Sequence, residues 1–149
     1  MPRLRSDIVE VYVIRRPGSF LQMRRREPPL RGTWQPVIGH LEGAEDAPTG
    51  ARRELEEETG LRRAPMWALE QVHPYYLPES DEIICAPRFC VEAPAEWEPV
   101  LNEEHDDWRW IDVARARDAL HWPSQWHAMD EIRDVILSGH AAANALRLD

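Results

Sequence analysis

The sequence predicts an α/β fold, a sandwich of helices around a mixed sheet. Three observations carry this. Short β-branched runs recur along the chain, few helical segments separate them, and the 149 residues suit one domain with its own core. Asp7 to Ile14 is strand-like, Arg16-Pro17-Gly18 is turn chemistry, and Ser19 to Arg25 returns as the second strand of a hairpin. Pro28-Pro29 to Gly32 forms a loop, and Trp34 to Ile38 is a short extended run. Ala47 to Thr59 is the clearest helix: Asp46 can cap it, Pro48 falls in its first turn, and Gly60 is a natural stop. Met66 to Tyr76 and Glu82 to Val91 are expected as two strands, separated by the polar Pro78 to Asp81. Trp108 to Ile111 is a short strand, and Val113 to Leu120 and Gln125 to Leu137 are helices, with Pro123 near the start of the second. Gly139 to Asp149 is Ala-rich, helical or frayed. There is no internal repeat, linker or low-complexity tract.

Composition excludes some functions. The hydrophobic share of 43% is that of a soluble globular protein. A net charge of −9 argues against a nucleic-acid duplex as partner, because backbone binding needs a basic surface. A phosphate-bearing small molecule remains compatible, since a bound cation offsets local negative charge. All 18 basic residues are Arg, which removes any Lys-based Schiff-base mechanism. Cys85 and Cys90, five apart on an expected strand, would face opposite ways, so they are expected as free, small buried hydrophobes. The apolar run after Arg5 is too short for a signal peptide or membrane span, and a cytoplasmic protein is the expectation. Seven Trp residues leave a homodimer open.

The chemistry concentrates in Arg52-Arg53-Glu54-Leu55-Glu56-Glu57-Glu58. Glu54, Glu57 and Glu58 stand at i, i+3 and i+4 and share one helical face, where like charges repel by a few tenths of a kcal/mol per pair. Ala47, Ala51 and Leu55 form an apolar stripe beside them that anchors the helix. A rigid carboxylate cluster is what a hard divalent cation needs, and Mg2+ shares its remaining positions with water and substrate phosphates. A solvated acidic face, relieved by Arg52, Arg53, Arg62 and Arg63, is the competing reading of the helix alone.

The surrounding spacing decides between them. Gly39, five residues, Glu45, seven residues, Arg53-Glu54-Leu55, one residue, Glu57-Glu58, one residue, Gly60-Leu61 matches the Nudix box at nine defined positions in 23 residues. The chain therefore resembles the Nudix hydrolase family, and the resemblance implies that family's α/β/α sandwich and cleavage of a diphosphate bond with Mg2+, or Mn2+ in its place. It implies Glu54, Glu57 and Glu58 as metal ligands, joined by the backbone carbonyl of Gly39. Arg53 would pair with Glu45 and brace the loop and helix. His40 stands where many members have a second glycine; positive φ there would be strained, and His40 is either a plain loop residue or a substrate contact.

Such hydrolysis needs a positioned water and a base. Asn102-Glu103-Glu104-His105 before Trp108-Arg109-Trp110 resembles the Glu-His loop that supplies the base in similar proteins. Glu104 is favoured over Glu103, with Glu58 competing. Arg24, Arg25 and Trp34 are the candidate substrate contacts, Arg for phosphate and Trp for a heterocycle, with a core position as the equal alternative for Trp34. The run Arg24 to Pro48, with His121-Trp122-Pro123 opening a helix, resembles the branch acting on dihydroneopterin triphosphate and nucleoside triphosphates. ADP-ribose and dinucleoside polyphosphates remain alternatives. Two rivals of other classes are an isomerase using Cys85 or Cys90 and a non-catalytic ligand sensor; the three intact box glutamates argue against the sensor.

Overall fold

The computed structural model describes residues Met1–Asp149. The chain runs β1 (Arg3–Arg5), β2 (Ile8–Arg15), β3 (Ser19–Arg25), β4 (Trp34–Gln35), β5 (Val37–His40), α1 (Ala47–Thr59), β6 (Met66–Ala68), β7 (Tyr75–Leu77), β8 (Glu82–Ile84), β9 (Arg88–Glu92), β10 (His105–Asp112), α2 (Ala116–Ala119), α3 (Pro123–Glu131) and α4 (Ala142–Leu146). The main sheet has the order β10-β3-β2-β9-β6, with β5 beside β2 and β4 beside β3. β2 and β9 are parallel and the other pairs antiparallel, so the sheet is mixed, as expected. A second sheet, β1-β8-β7, includes a strand that the sequence did not announce, Arg3–Arg5.

Period-two alternation builds the sandwich. Val9, Val11 and Val13 of β2, Leu21 and Met23 of β3, and Phe89 and Val91 of β9 bury one face against Ala51 and Leu55 of α1. Their neighbours Tyr12, Ile14, Phe20 and Cys90 bury the other face against Ala128 and Met129 of α3 and the residues beyond it. Strands buried on both faces have no polar side to spare, which is why β2 is almost continuously apolar.

The hairpin is shorter than its strands. β2 and β3 pair only at Ile14–Phe20 and Arg15–Ser19. Beyond that they splay, and β5 pairs with the first half of β2 while β4 pairs with the end of β3. This insertion delivers Gly39 to the side of α1. The helix has its expected ends: Asp46 accepts from Thr49 N at 2.9 Å, and Gly60 adopts φ 78° with its N–H donating to Glu56 O.

Several expected boundaries change. Met66 to Tyr76 is two strands in different sheets, because Glu70 N and Gln71 N donate to the Glu131 carboxylate and hold the intervening loop on α3. Glu82 to Val91 likewise splits around Ala86-Pro87, since Pro cannot donate to a ladder. Cys85 and Cys90 therefore do not share a strand; both are free. Val113–Arg115 is a 3-10 turn leading into α2, and Ile132–Leu137 continues α3 as a π-helix. The C-terminal segment is docked rather than frayed: Leu148 N donates to Met66 O at 2.9 Å, and the Arg147 guanidinium lies 5.0 Å from the Trp67 ring centre.

Candidate active site

α1 and the start of β10 meet over one corner of the sheet. Glu58 is the most deeply buried carboxylate on α1, its side chain 1% exposed, and its Oε2 has no hydrogen-bond partner. Burial, with Glu104 and Glu54 as the next causes, pushes its carboxyl up to about 10. Glu54 is also held above the usual carboxylate range by burial. Glu57 stands on the same face, half exposed. Four carboxylates converge on a place where ionising them all is costly without a cation.

Arg53 braces this corner. Its guanidinium donates to Glu45 Oε1 at 2.5 Å, to Glu54 Oε1 at 2.8 Å, to Glu57 at 3.3 Å and to His40 O at 2.9 Å. Those bonds hold Glu45 below the usual carboxylate range. The expected Arg53–Glu45 support is present, and Arg53 also ties the β5 end to α1. Gly39 is needed for a different reason from conformational freedom: a Cβ there would collide with the Glu54 carboxyl. Gly39→Ala is therefore expected to fold, displace Glu54 and weaken divalent-cation affinity by roughly tenfold or more, measured by calorimetric titration. Unchanged affinity would show that Glu54 takes no part. His40 is an exposed strand residue without positive φ, so the strain considered for that position is absent.

β10 supplies the other half. A β-bulge at Asp106 sets two residues of β10 against one of β3: His105 pairs with Arg25 and Asp107 with Arg24. Trp108 and Trp110 face α1 and Arg109 faces the other way. Unbroken alternation would turn His105 away from α1; the extra residue turns it towards Glu58, with Nδ1 3.7 Å from Glu58 Oε1. Glu58, Glu104 and His105 can each offer a ligand atom within 4.8 Å of the others. Burial keeps His105 neutral, its pKa lowered to about 4. The Glu-His adjacency marks this residue in the sequence, but the bulge that aims it has no sequence signature.

The expected substrate contacts separate. Arg24 and Trp34 lie on the face opposite α1, where Arg24 pairs with Asp106 at 2.7 Å and Trp34 is covered by the Arg109 guanidinium at 4.0 Å. Arg25 is on the α1 side, its Nε donating to Pro29 O at 2.6 Å. Cys90 packs on the α3 face and Cys85 follows β8 in the small sheet, so neither thiol joins the acidic helix.

A mixed sheet between helices, with a glycine-backed acidic helix facing a Glu-His strand end, makes an α/β/α sandwich with a carboxylate-rich corner whose side chains could hold a metal ion. The NUDIX domain model matches residues 4–132, and the chain belongs to the Nudix family. It is 36% identical over 121 residues to an octanoyltransferase of Myxococcus xanthus, covering 80% of this chain and 34% of that protein. The chain thus spans little more than a third of the curated relatives it matches. A Nudix structure from Listeria monocytogenes superposes with TM-score 0.75 at 21% identity, covering 91% of this chain and 97% of the other. The dihydroneopterin triphosphate pyrophosphohydrolase of E. coli superposes with TM-score 0.73 at 21% identity, covering 88% and 97%.

Proposed function

We propose that this domain is a Mg2+-dependent pyrophosphohydrolase that cleaves a nucleoside or dihydroneopterin triphosphate to the monophosphate and pyrophosphate. The observation that carries the reading is Glu58: a buried carboxylate with an unpartnered oxygen, ringed by Glu54, Glu57 and Glu104. Nothing else in the chain uses that oxygen, and the donor set is all oxygen plus one imidazole, the chemistry of a divalent-cation site. Glu54, Glu57, Glu58 and the Gly39 carbonyl would hold the ion, with Mn2+ as a substitute. When bound, the ion neutralises phosphate charge and acidifies water.

The protein's own groups do the rest. Arg53 keeps Glu54 and Glu57 in place through a network that spans β5 and α1. Glu104 stands exposed at the mouth and has two oxygens, one for the ion and one to receive the proton of the attacking water. Arg25 and the exposed His40 are the polar groups beside this corner that can meet phosphate oxygens, whereas Trp34, stacked with Arg109 on the opposite face of the sheet, is not placed to take part. An acyl transfer of the kind named for the Myxococcus relative lacks support here, since the corner holds no Lys, Cys or Ser nucleophile.

The test is a panel of pterin triphosphate, each deoxynucleoside triphosphate, ADP-ribose and diadenosine polyphosphates with Mg2+, read by phosphate and pyrophosphate release. Pyrophosphate release from one of the triphosphates is expected. Glu104→Gln is expected to cut turnover by about 10²-fold or more with thermal stability unchanged. Near-normal turnover in that variant would remove Glu104 from the role, and ligand binding without release across the panel would replace hydrolysis with sensing.

A further inference from the structure

We propose that His105 is a nitrogen ligand of the cation, and that the site, although it works with Mg2+, consequently binds Mn2+, Co2+ or Zn2+ more tightly. The inference rests on the reading of the acidic corner as a cation site and adds a ligand that the box does not contain. The His105 side chain is 4% exposed, and both ring nitrogens are buried without any hydrogen-bond partner. An imidazole buried in that way forgoes the hydrogen bonds that both its nitrogens would make in water, and nothing in the fold replaces them. Glu58, the polar group it faces, does not relieve it: at 3.7 Å the Nδ1 to Oε1 separation is beyond a hydrogen bond. Glu58 Oε2 is itself unpartnered. Two adjacent buried groups, each lacking a partner and unable to satisfy one another, are jointly satisfied by a cation between them.

The placement is built by the strand. The bulge at Asp106 spends one residue of β10 to bring His105 to the α1 face, beside Glu58 and Glu104, whose ligand atoms all lie within 4.8 Å of its own. Bulges that re-aim a side chain at a site are features rather than defects. Replacing one oxygen of the set by imidazole changes the ion that suits it: all-oxygen sets suit Mg2+ and Mn2+ alike, whereas hard Mg2+ takes an imidazole nitrogen poorly and first-row metals take it increasingly well from Mn2+ along the Irving–Williams order.

The experiment uses the full chain and Mn2+ as the probe. Pulsed EPR of the bound Mn2+ is expected to show nitrogen modulation that shifts on 15N-histidine labelling. His105→Gln is expected to retain one bound Mn2+, lose the modulation, and lower the ratio of Mn2+ to Mg2+ affinity by roughly tenfold or more. His40→Gln, the other histidine near the corner, is expected to keep the signal. Wild-type Mn2+ binding that Glu58→Gln abolishes, but without nitrogen modulation, would overturn the role of His105 and leave the acidic site intact. Modulation that survives His105→Gln and is lost in His40→Gln would also overturn it. Failure of the wild type to bind Mn2+ or Mg2+ at all would overturn the cation site itself. The wild-type spectrum decides the ligand even where a variant fails to fold.

Discussion

Glu58→Gln is expected to lower kcat/KM by roughly 10³-fold, because several kcal/mol of charge stabilisation by a held cation are lost with it. The same substitution is expected to have the opposite effect on the metal-free fold at alkaline pH. Glu58 releases its proton near 4.5 when unfolded and near 10 when folded, mainly because it is buried. A carboxyl whose folded pKa is raised opposes folding above its unfolded pKa: the unfolded chain ionises first, and folding must recapture the proton. Stability of the metal-free protein should therefore fall as pH rises from about 4.5 towards 10. Mg2+ should reverse that fall, with a gain in Tm that grows with pH. Glu58→Gln should flatten the metal-free pH profile and abolish the Mg2+ gain. Thermal melts from pH 5 to 9, with Mg2+ and with a chelator, check all three; a Mg2+ gain that persists in Glu58→Gln would place the cation elsewhere.

The second large effect lies on the other side of the sheet. Arg88, 3% exposed, donates to Ser124 O at 2.5 Å and to Gln71 O at 3.3 Å, tying β9 to the start of α3 and to the loop after β6. It is also the positive charge that offsets buried Glu10, its register partner, whose carboxylate accepts from Tyr12 Oη at 2.6 Å. Arg88→Met keeps much of the volume but strands Glu10 and two carbonyls. Its expected cost is about 3 kcal/mol, or a Tm roughly 10 °C lower. Glu10→Gln together with Arg88→Met should recover part of this, because the uncompensated charge is gone. A single variant that melts with the wild type would show that neither group is a fold determinant.

How much of this was legible depends on the range of the interaction. The α1 boundaries were, because Asp46, Pro48 and Gly60 act within a turn of themselves. The carboxylate face was, because helical spacing fixes which residues share it. The Arg53–Glu45 pair followed from the resemblance of the box, eight residues of separation being bridged by one loop. The strand boundaries at Ala68 and Ile84 were not: an apolar run has the same appearance whether it stays in one sheet or changes sheets, and the choice was made by Glu131, some 60 residues away, and by pairing with β1.

The substrate side shows the same division. Arg24, Arg25 and Trp34 are close in sequence, yet alternation along β3 sends Arg24 and Arg25 to opposite faces. Trp34 meets Arg109, a residue 75 positions later, only because β4 and β10 flank β3 on either side.

By itself the sequence determined the acidic helix, its caps, and the glycine and arginine that support it, since all of these act through local geometry. Tertiary structure decided that Glu58 is buried without a partner, that a bulge turns His105 to meet it, and that the thiols lie elsewhere. Those facts depend on which strands become neighbours, and strand neighbours are set by packing of the whole sheet rather than by any one segment.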